Sequence, residues 1–143
     1  MLYTYLQGDF YNSLPDDLKS VIKPTRVISG YGCRVASYVC TNPDSNGNNF
    51  VTTDYLYLYS GVELVGEDPY DTAAATTHQM EYYVGKSNND RIKKIQINSL
   101  SYWMRTAYSL DKANFRIISG SGELAGRGAS STSYGMVPVF RIG

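Results

Sequence analysis

The side chains that could do chemistry in this chain are few and scattered. The single histidine, His78, has no acid or nucleophile at a spacing that would make it a catalytic base. Nucleophilic catalysis needs a hydroxyl or thiol beside a general base, and Ser109, Ser119 and the Ser130-Ser131 pair have none nearby. Asp54 and Glu63 could be drawn as a carboxylate pair, but a structural role as partners of Arg105 suits them better, because a buried arginine has to be paired. Cys33 and Cys40 fit no zinc signature, and two ligands do not make a structural site. Asp44, Asn46 and Asn48 alternate as oxygen ligands in a calcium loop do. However, glycine falls at Gly47 rather than at position 49, and Tyr55 stands where the bidentate acid belongs. Gly120, Gly122, Gly126 and Gly128 do not lead from a strand into a helix, so they do not form a phosphate cradle. No catalytic residue, cofactor or metal is expected.

What remains is recognition. The chain has 143 residues, a length that suits a single domain, with thirteen basic and thirteen acidic side chains. That balance leaves no electrostatic footprint for nucleic acid. No apolar run approaches the roughly 20 residues of a membrane span, and no signal peptide opens the chain. Charged residues make up only 18%, against fourteen tyrosines and thirteen glycines. Tyrosine supplies rigid amphipathic contact area, while Ser, Asn and Gly supply adaptable hydrogen bonding, as in binding surfaces. About half of these tyrosines are accounted for by the ordinary preference of the residue for strands. Cys33 and Cys40 could close a disulfide worth about 2–3 kcal/mol in an oxidising compartment, or stay as buried thiols acting as small hydrophobes. The second reading is slightly preferred.

The elements that must position these residues are helices first and short strands last. Leu2, Leu6 and Phe10 recur at helical spacing. A second helix is expected from an N-cap at Ser13, with Pro15, Asp16 and Asp17 in its first turn and Pro24 as its stop. Thr25 to Ser29 and Arg34 to Val39 read as strands around a Gly30-Tyr31-Gly32 turn, followed by a polar loop from Thr41 to Asn49. Leu56 and Leu58 alternate with tyrosines, which predicts an extended segment with both leucines on one face. A helical turn carrying Glu63, a short helix over Ala73 to Tyr83 and a polar turn at Ser87 to Asp90 come next. Ser101 to Thr106 is the expected centre, a strand in which Trp103 and Arg105 share a face and Trp103 fills the core. Asn114 to Gly143 is expected to fold back on it as hairpins, with Gly126 to Tyr134 as a loop. The last strand runs from Met136 to Ile142, with a break at Pro138. The class is α+β and loop-rich.

Several motifs, in order, resemble a domain of unknown function common in gut bacteria and their phages. They are Leu2-x-x-x-Leu6-x-x-x-Phe10-Tyr11, Leu18-x-x-x-Ile22, and Thr52-Thr53-Asp54 leading into Leu56-Tyr57-Leu58-Tyr59-Ser60 with Glu63 after it. Tyr102-Trp103-Met104-Arg105-Thr106 matches that family's tryptophan–leucine–arginine–serine motif, and Gly135-Met136-Val137-Pro138-Val139-Phe140 matches its ending. The resemblance spans nearly the whole chain. It implies a branch of the C-type-lectin-like fold, shared with formylglycine-generating enzymes and with the variable proteins of phage diversity-generating retroelements. It also implies that residues 1–143 are the C-terminal part of a larger protein. Val137 departs from the family's arginine, and the strands that normally precede the first helix are missing.

The formylglycine-generating activity implied by such relatives needs cysteines near the C-terminus, and none follows Cys40. Asn42-Pro43-Asp44 is similar to the proline-centred calcium motif of classical lectins, but its Trp-Asn-Asp partner is absent. The expected function is therefore non-enzymatic binding of a host-surface carbohydrate or protein, on a phage tail, a virion or a bacterial surface. By the resemblance, the ligand face is the segment from Ala107 to Tyr134, with Tyr108, Asp111, Lys112, Asn114, Arg116, Glu123, Arg127 and Tyr134. The structural core would be Trp103, Arg105, Asp54 and Glu63. A decoration or adaptor module in an oligomer or virion assembly is the alternative, and a degenerate formylglycine-generating-type enzyme is a third. In the lectin-like fold the first and last strands pair. With the leading strands missing, Val137 to Ile142 is expected to find its partner outside this chain.

Overall fold

The computed structural model describes residues 2–30, 49–71, 77–108 and 114–143. Tyr31 and Gly32 of the expected turn, the Arg34 to Val39 run, most of the polar loop after it, Cys33, Cys40, Asp111 and Lys112 lie outside the described residues. The architecture is mixed α/β, with a few short helices and several short antiparallel sheets.

The chain opens on helix α1 (Leu2–Tyr5), which widens into a π-helical turn over Leu6–Phe10 and buries Leu6. Ser13 does not cap the next helix. Its hydroxyl donates back to the Phe10 carbonyl at 2.7 Å and closes the first one. Helix α2 (Asp16–Val21) therefore starts from Pro15, with Asp16 and Asp17 at its positive end. It stops at Ile22, whose ψ of 129° starts strand β1 (Ile22–Lys23), just ahead of Pro24.

Strand β2 (Thr25–Gly30) pairs antiparallel with β3 (Asn49–Asp54) in a register that sets Thr25 opposite Asp54 and Val27 opposite Thr52. Extended chain follows, with Leu56 and Leu58 both buried as their alternation predicts. Helix α3 (Gly61–Val65) carries a capping box in which Ser60 and Glu63 satisfy each other's backbone N–H. Gly61 has a spatial reason to be glycine, because a Cβ there would lie 2.0 Å from the Asp68 carboxylate.

Of the short helix expected over Ala73 to Tyr83, residues 73–76 lie outside the described residues; 77–80 are irregular and Glu81–Tyr83 form a 3-10 turn. The reason is visible in the hydrogen bonds. Met80 N–H donates to the Glu63 carbonyl, and the Gln79 amide donates to Leu64 and Tyr83. These bonds go to α3 and the turn instead of closing a helix. The polar turn at Ser87 is in fact a one-turn helix, α4 (Asn88–Arg91), capped reciprocally by Ser87 and Asp90. A small hairpin, β4 (Lys93–Ile95) with β5 (Asn98–Leu100), then leads into the three-stranded sheet.

In that sheet β6 (Tyr102–Ala107) pairs with β7 (Asn114–Ile118), and β7 with β8 (Leu124–Gly128). Strand β8 thus continues into the segment expected as loop. Along β6 burial alternates: Tyr102, Met104 and Thr106 are buried, while Trp103 and Arg105 are intermediate. The core consists of Leu64, Tyr83, Tyr102, Met104 and Ile118. Trp103 therefore does not sit at its centre, as its size suggested. It shares a strand face with Arg105, and that face turns away from the deepest packing.

The expected external partner of the C-terminal strand is also overturned. Tyr57 and Val139 exchange backbone hydrogen bonds of 3.0 and 2.7 Å, and β9 (Arg141–Ile142) pairs with β1. Gly135 bonds beside β6 through Ser101 and Trp103. The tail is a suture between the N-terminal half and the central sheet. The β1–β9 ladder is short, with Ile22 opposite Ile142 and Lys23 opposite Arg141, and the next residue along β1 is Pro24, which has no N–H to give.

Candidate functional site

Between the β2–β3 ribbon and the exposed face of β6–β7 lies a cleft of about 990 Å3. Its walls follow from the period of two in each strand. From β2 come Val27 and Ser29; from β3, Phe50, Thr52 and Asp54. Trp103, Arg105 and Phe115 come from the opposing sheet, and Tyr5 with Leu6 from the first helix. Leu56, Leu58 and Met104 belong to the wall as well, so the lining is mostly apolar and aromatic. Cavities of this size and composition, with a few polar groups, suit small ligands.

Two charged side chains mark the cleft among the described residues, and their states differ. Arg105 is fully engaged. Its guanidinium makes a bidentate pair with Glu63 at 2.6 and 2.7 Å, and it donates to the carbonyls of Leu58 at 2.6 Å and Ile28 at 3.3 Å. Both side chains of the pair are nearly buried, at 11% and 12% exposure. Glu63 also accepts from Ser60 N–H at 2.9 Å, so one carboxylate caps α3 and neutralises β6. Of the two acids expected beside Arg105, Glu63 is the one that meets it.

Asp54 stands apart from that pair. It is 4% exposed, and its Oδ2 accepts from the Thr52 hydroxyl at 2.6 Å. Its Oδ1 is sealed from solvent and has no hydrogen-bond partner. The Gln7 amide holds the chain just beyond it, accepting from Tyr55 N–H at 3.0 Å and donating to the Leu56 carbonyl. Tyr57 lines the cleft with Arg105 5.7 Å from its ring, and its hydroxyl pKa is raised, first by burial and then by Glu63.

Among the described residues expected on a ligand face from Ala107 to Tyr134, Tyr108 and Arg116 meet, but in an internal contact and not on an open face. Arg116 is buried and bound to Asp68, with Nε and Nη2 contacts between 2.9 and 3.2 Å. It lies against the rings of Tyr70 and Tyr108, 4.8 and 4.9 Å from their centroids, and the two rings also touch each other at 4.8 Å. Tyr108 in turn covers Gly126, where a Cβ would come within 2.6 Å of its ring. Arg116 and Tyr108 are thus parts of an internal stack, because β7 turns Arg116 to the side away from Phe115. Glu123 and Arg127 are exposed; the first accepts from Ser121 and the second donates to the Gly126 carbonyl. Asn114 starts β7 opposite Gly128. Tyr134 packs edge-on against Trp103 at 5.1 Å, which puts it beside the cleft.

His78 is exposed and lines a second pocket of about 250 Å3 with Glu63 and Arg105. The carboxylate it faces is already held by Arg105 and Ser60. Among the described residues, no three His, Cys, Asp or Glu side chains come together at a distance that would hold a metal.

The family described as Domain of unknown function (DUF6273) matches residues 1–143. The chain belongs to this family. No curated protein and no solved structure matches it. In this DUF6273 domain the sequence places Asp54 in the core as a candidate partner of Arg105 and leaves Phe50 aside; that Phe50, Thr52 and Asp54 form one cleft wall was not read from it, although the three residues alternate. The missing signal was the partner strand, since β2 and β3 meet across residues far apart in the chain. Arg91 was overlooked as well. It is buried, its guanidinium donates to Leu64, Asn88 and Lys86, and its own carbonyl accepts the Tyr102 hydroxyl at 2.9 Å.

Proposed function

We propose that this DUF6273 domain is a binding module that holds its ligand without transforming it, in the cleft between the β2–β3 ribbon and the central sheet. The observation that carries this reading is the cleft itself: aromatic and aliphatic walls on three elements, with few polar groups. Its arginine is already neutralised, so it is a fixture of the scaffold rather than a reactive group. The fold is read as a branch of the C-type-lectin-like architecture. The ordered motifs support that reading, from the opening helix through Tyr102-Trp103-Met104-Arg105-Thr106 to Gly135-Met136-Val137-Pro138-Val139-Phe140. In that setting the domain serves recognition at a phage tail, a virion or a bacterial surface.

The test is a titration of the purified domain with carbohydrate and small-molecule libraries, followed by backbone amide chemical shifts. Shifts clustered on Val27, Phe50, Trp103 and Phe115 are expected for the ligands that bind. Ligands whose shifts map only to exposed loops such as 129–134 would remove the cleft from the proposal.

An adaptor role is the second reading, and one feature favours it. The β4–β5 hairpin carries Ile95 and Ile97 at its tip, 62% and 87% exposed. Paired apolar side chains so exposed suit contact with another subunit. Sedimentation of the domain across a concentration series decides it: self-association that an Ile97→Asp change abolishes supports the adaptor.

A further inference from the structure

The geometry points to an organic ammonium as the ligand of the cleft, a small cation on an apolar or aromatic stem, with Asp54 as its anionic anchor. This rests on the cleft reading above and adds the chemical class. Three observations carry it. Asp54 is a wall residue that is almost wholly buried, and one of its carboxylate oxygens has no partner at all. A buried acceptor left unmade is costly, more so when it can carry charge. The arginine of the described wall, Arg105, does not relieve it, because its guanidinium donates to Glu63 and to two backbone carbonyls. Arg127, on the same sheet face by its pairing with Phe115, is exposed and donates to the Gly126 carbonyl. Among the described residues, the wall thus holds one carboxylate without a counter-charge, in surroundings of Phe50, Trp103 and Phe115.

Those surroundings select what the carboxylate can take. A metal ion needs several oxygen, nitrogen or sulfur ligands, and the cleft wall offers mostly carbon. An ammonium needs one anionic acceptor, and its stem gains from aromatic faces, which also attract the positive charge. Because Oδ1 is shut off from solvent, ligand entry includes a small rotation of the Asp54 carboxylate that brings Oδ1 to the cleft surface. The Thr52 hydroxyl holds the other oxygen, Oδ2, in the resting state. The ligand's ammonium then donates to Oδ1, and no bond is broken.

Phenethylammonium and its neutral isostere 2-phenylethanol are the probes. Trp103 is the only tryptophan in the chain and lines the cleft, so its emission reports occupancy directly in the wild-type protein. The expected result is that phenethylammonium binds about tenfold tighter or more than 2-phenylethanol, the range for one charged hydrogen bond. Asp54→Asn, which keeps the shape and can keep the contact with Thr52, is expected to erase that preference. Equal affinities in the wild type overturn the ammonium assignment and leave the cleft as an apolar binding site. A preference that survives in Asp54→Asn assigns the cation to another group and overturns it too. Failure of both probes to change Trp103 emission overturns the cleft reading along with it. If Asp54→Asn does not fold, the wild-type comparison decides alone, together with Asp54 carboxyl and Thr52 shifts that must move with the ammonium and not with the alcohol.

Discussion

At the scale of single residues, Glu63 carries more structure than any other charged group of the site. Its two oxygens bind Arg105, and one of them also closes the capping box of α3. Through Arg105 the same contact reaches the carbonyls of Ile28 and Leu58, which tie β2 and the extended segment to β6. Removing one partner of a buried pair leaves a charge without compensation, which costs about 3–5 kcal/mol. Glu63→Gln is therefore expected to lower stability by about that amount in urea unfolding. A loss below about 1 kcal/mol, the surface value, would show that solvent reaches the pair.

At the scale of elements, β6 has two unlike faces. Met104 is 1% exposed and belongs to the core cluster, whereas Trp103 is partly exposed and lines the cleft. A large-to-small change in a tight core costs about 2–5 kcal/mol, while at an open wall most of the cavity term is lost because water fills the gap. Met104→Ala is therefore expected to destabilise the domain more than Trp103→Ala, despite tryptophan's greater size. Thermal melts of the two variants decide it, and the reverse order would return Trp103 to the core. Trp103→Ala should instead weaken cleft binding.

At the scale of the whole molecule, buried phenols tie stability to pH. Burial first, and then the neighbouring Tyr83, pushes the Tyr59 and Tyr102 hydroxyls well above their ordinary value of 10.0. In the unfolded chain these phenols lose their protons near pH 10, while the folded chain keeps them. The folded state then binds more protons, so stability falls as pH rises. The contribution is complete below about pH 10 and is lost progressively above it. Alkaline titration should show part of the tyrosinate absorbance appearing only together with loss of circular dichroism. Full ionisation of all fourteen tyrosines with the fold intact would contradict the burial of these rings.

The sequence by itself determined what depends on neighbours in the chain. The alternation of Leu56 and Leu58, the helical turn at Glu63, the shared face of Trp103 and Arg105 and the need to pair that arginine were all legible, because strand and helix periods are local properties. So was the absence of a strand hydrogen bond at Pro138. Tertiary structure decided which face of β6 is deeper, because that depends on what packs against each side. It moved Arg116 from an expected ligand surface to a buried pair with Asp68, forty-eight positions away in the chain. It joined the tail to Ile22 and Tyr57, which no local pattern encodes. The cleft belongs to the same class: its walls come from a helix, a ribbon and a sheet, and Asp54 acquires its unmet oxygen only where they converge. A side chain's type and period are written in the chain, while its burial and its partner are properties of contacts between distant segments.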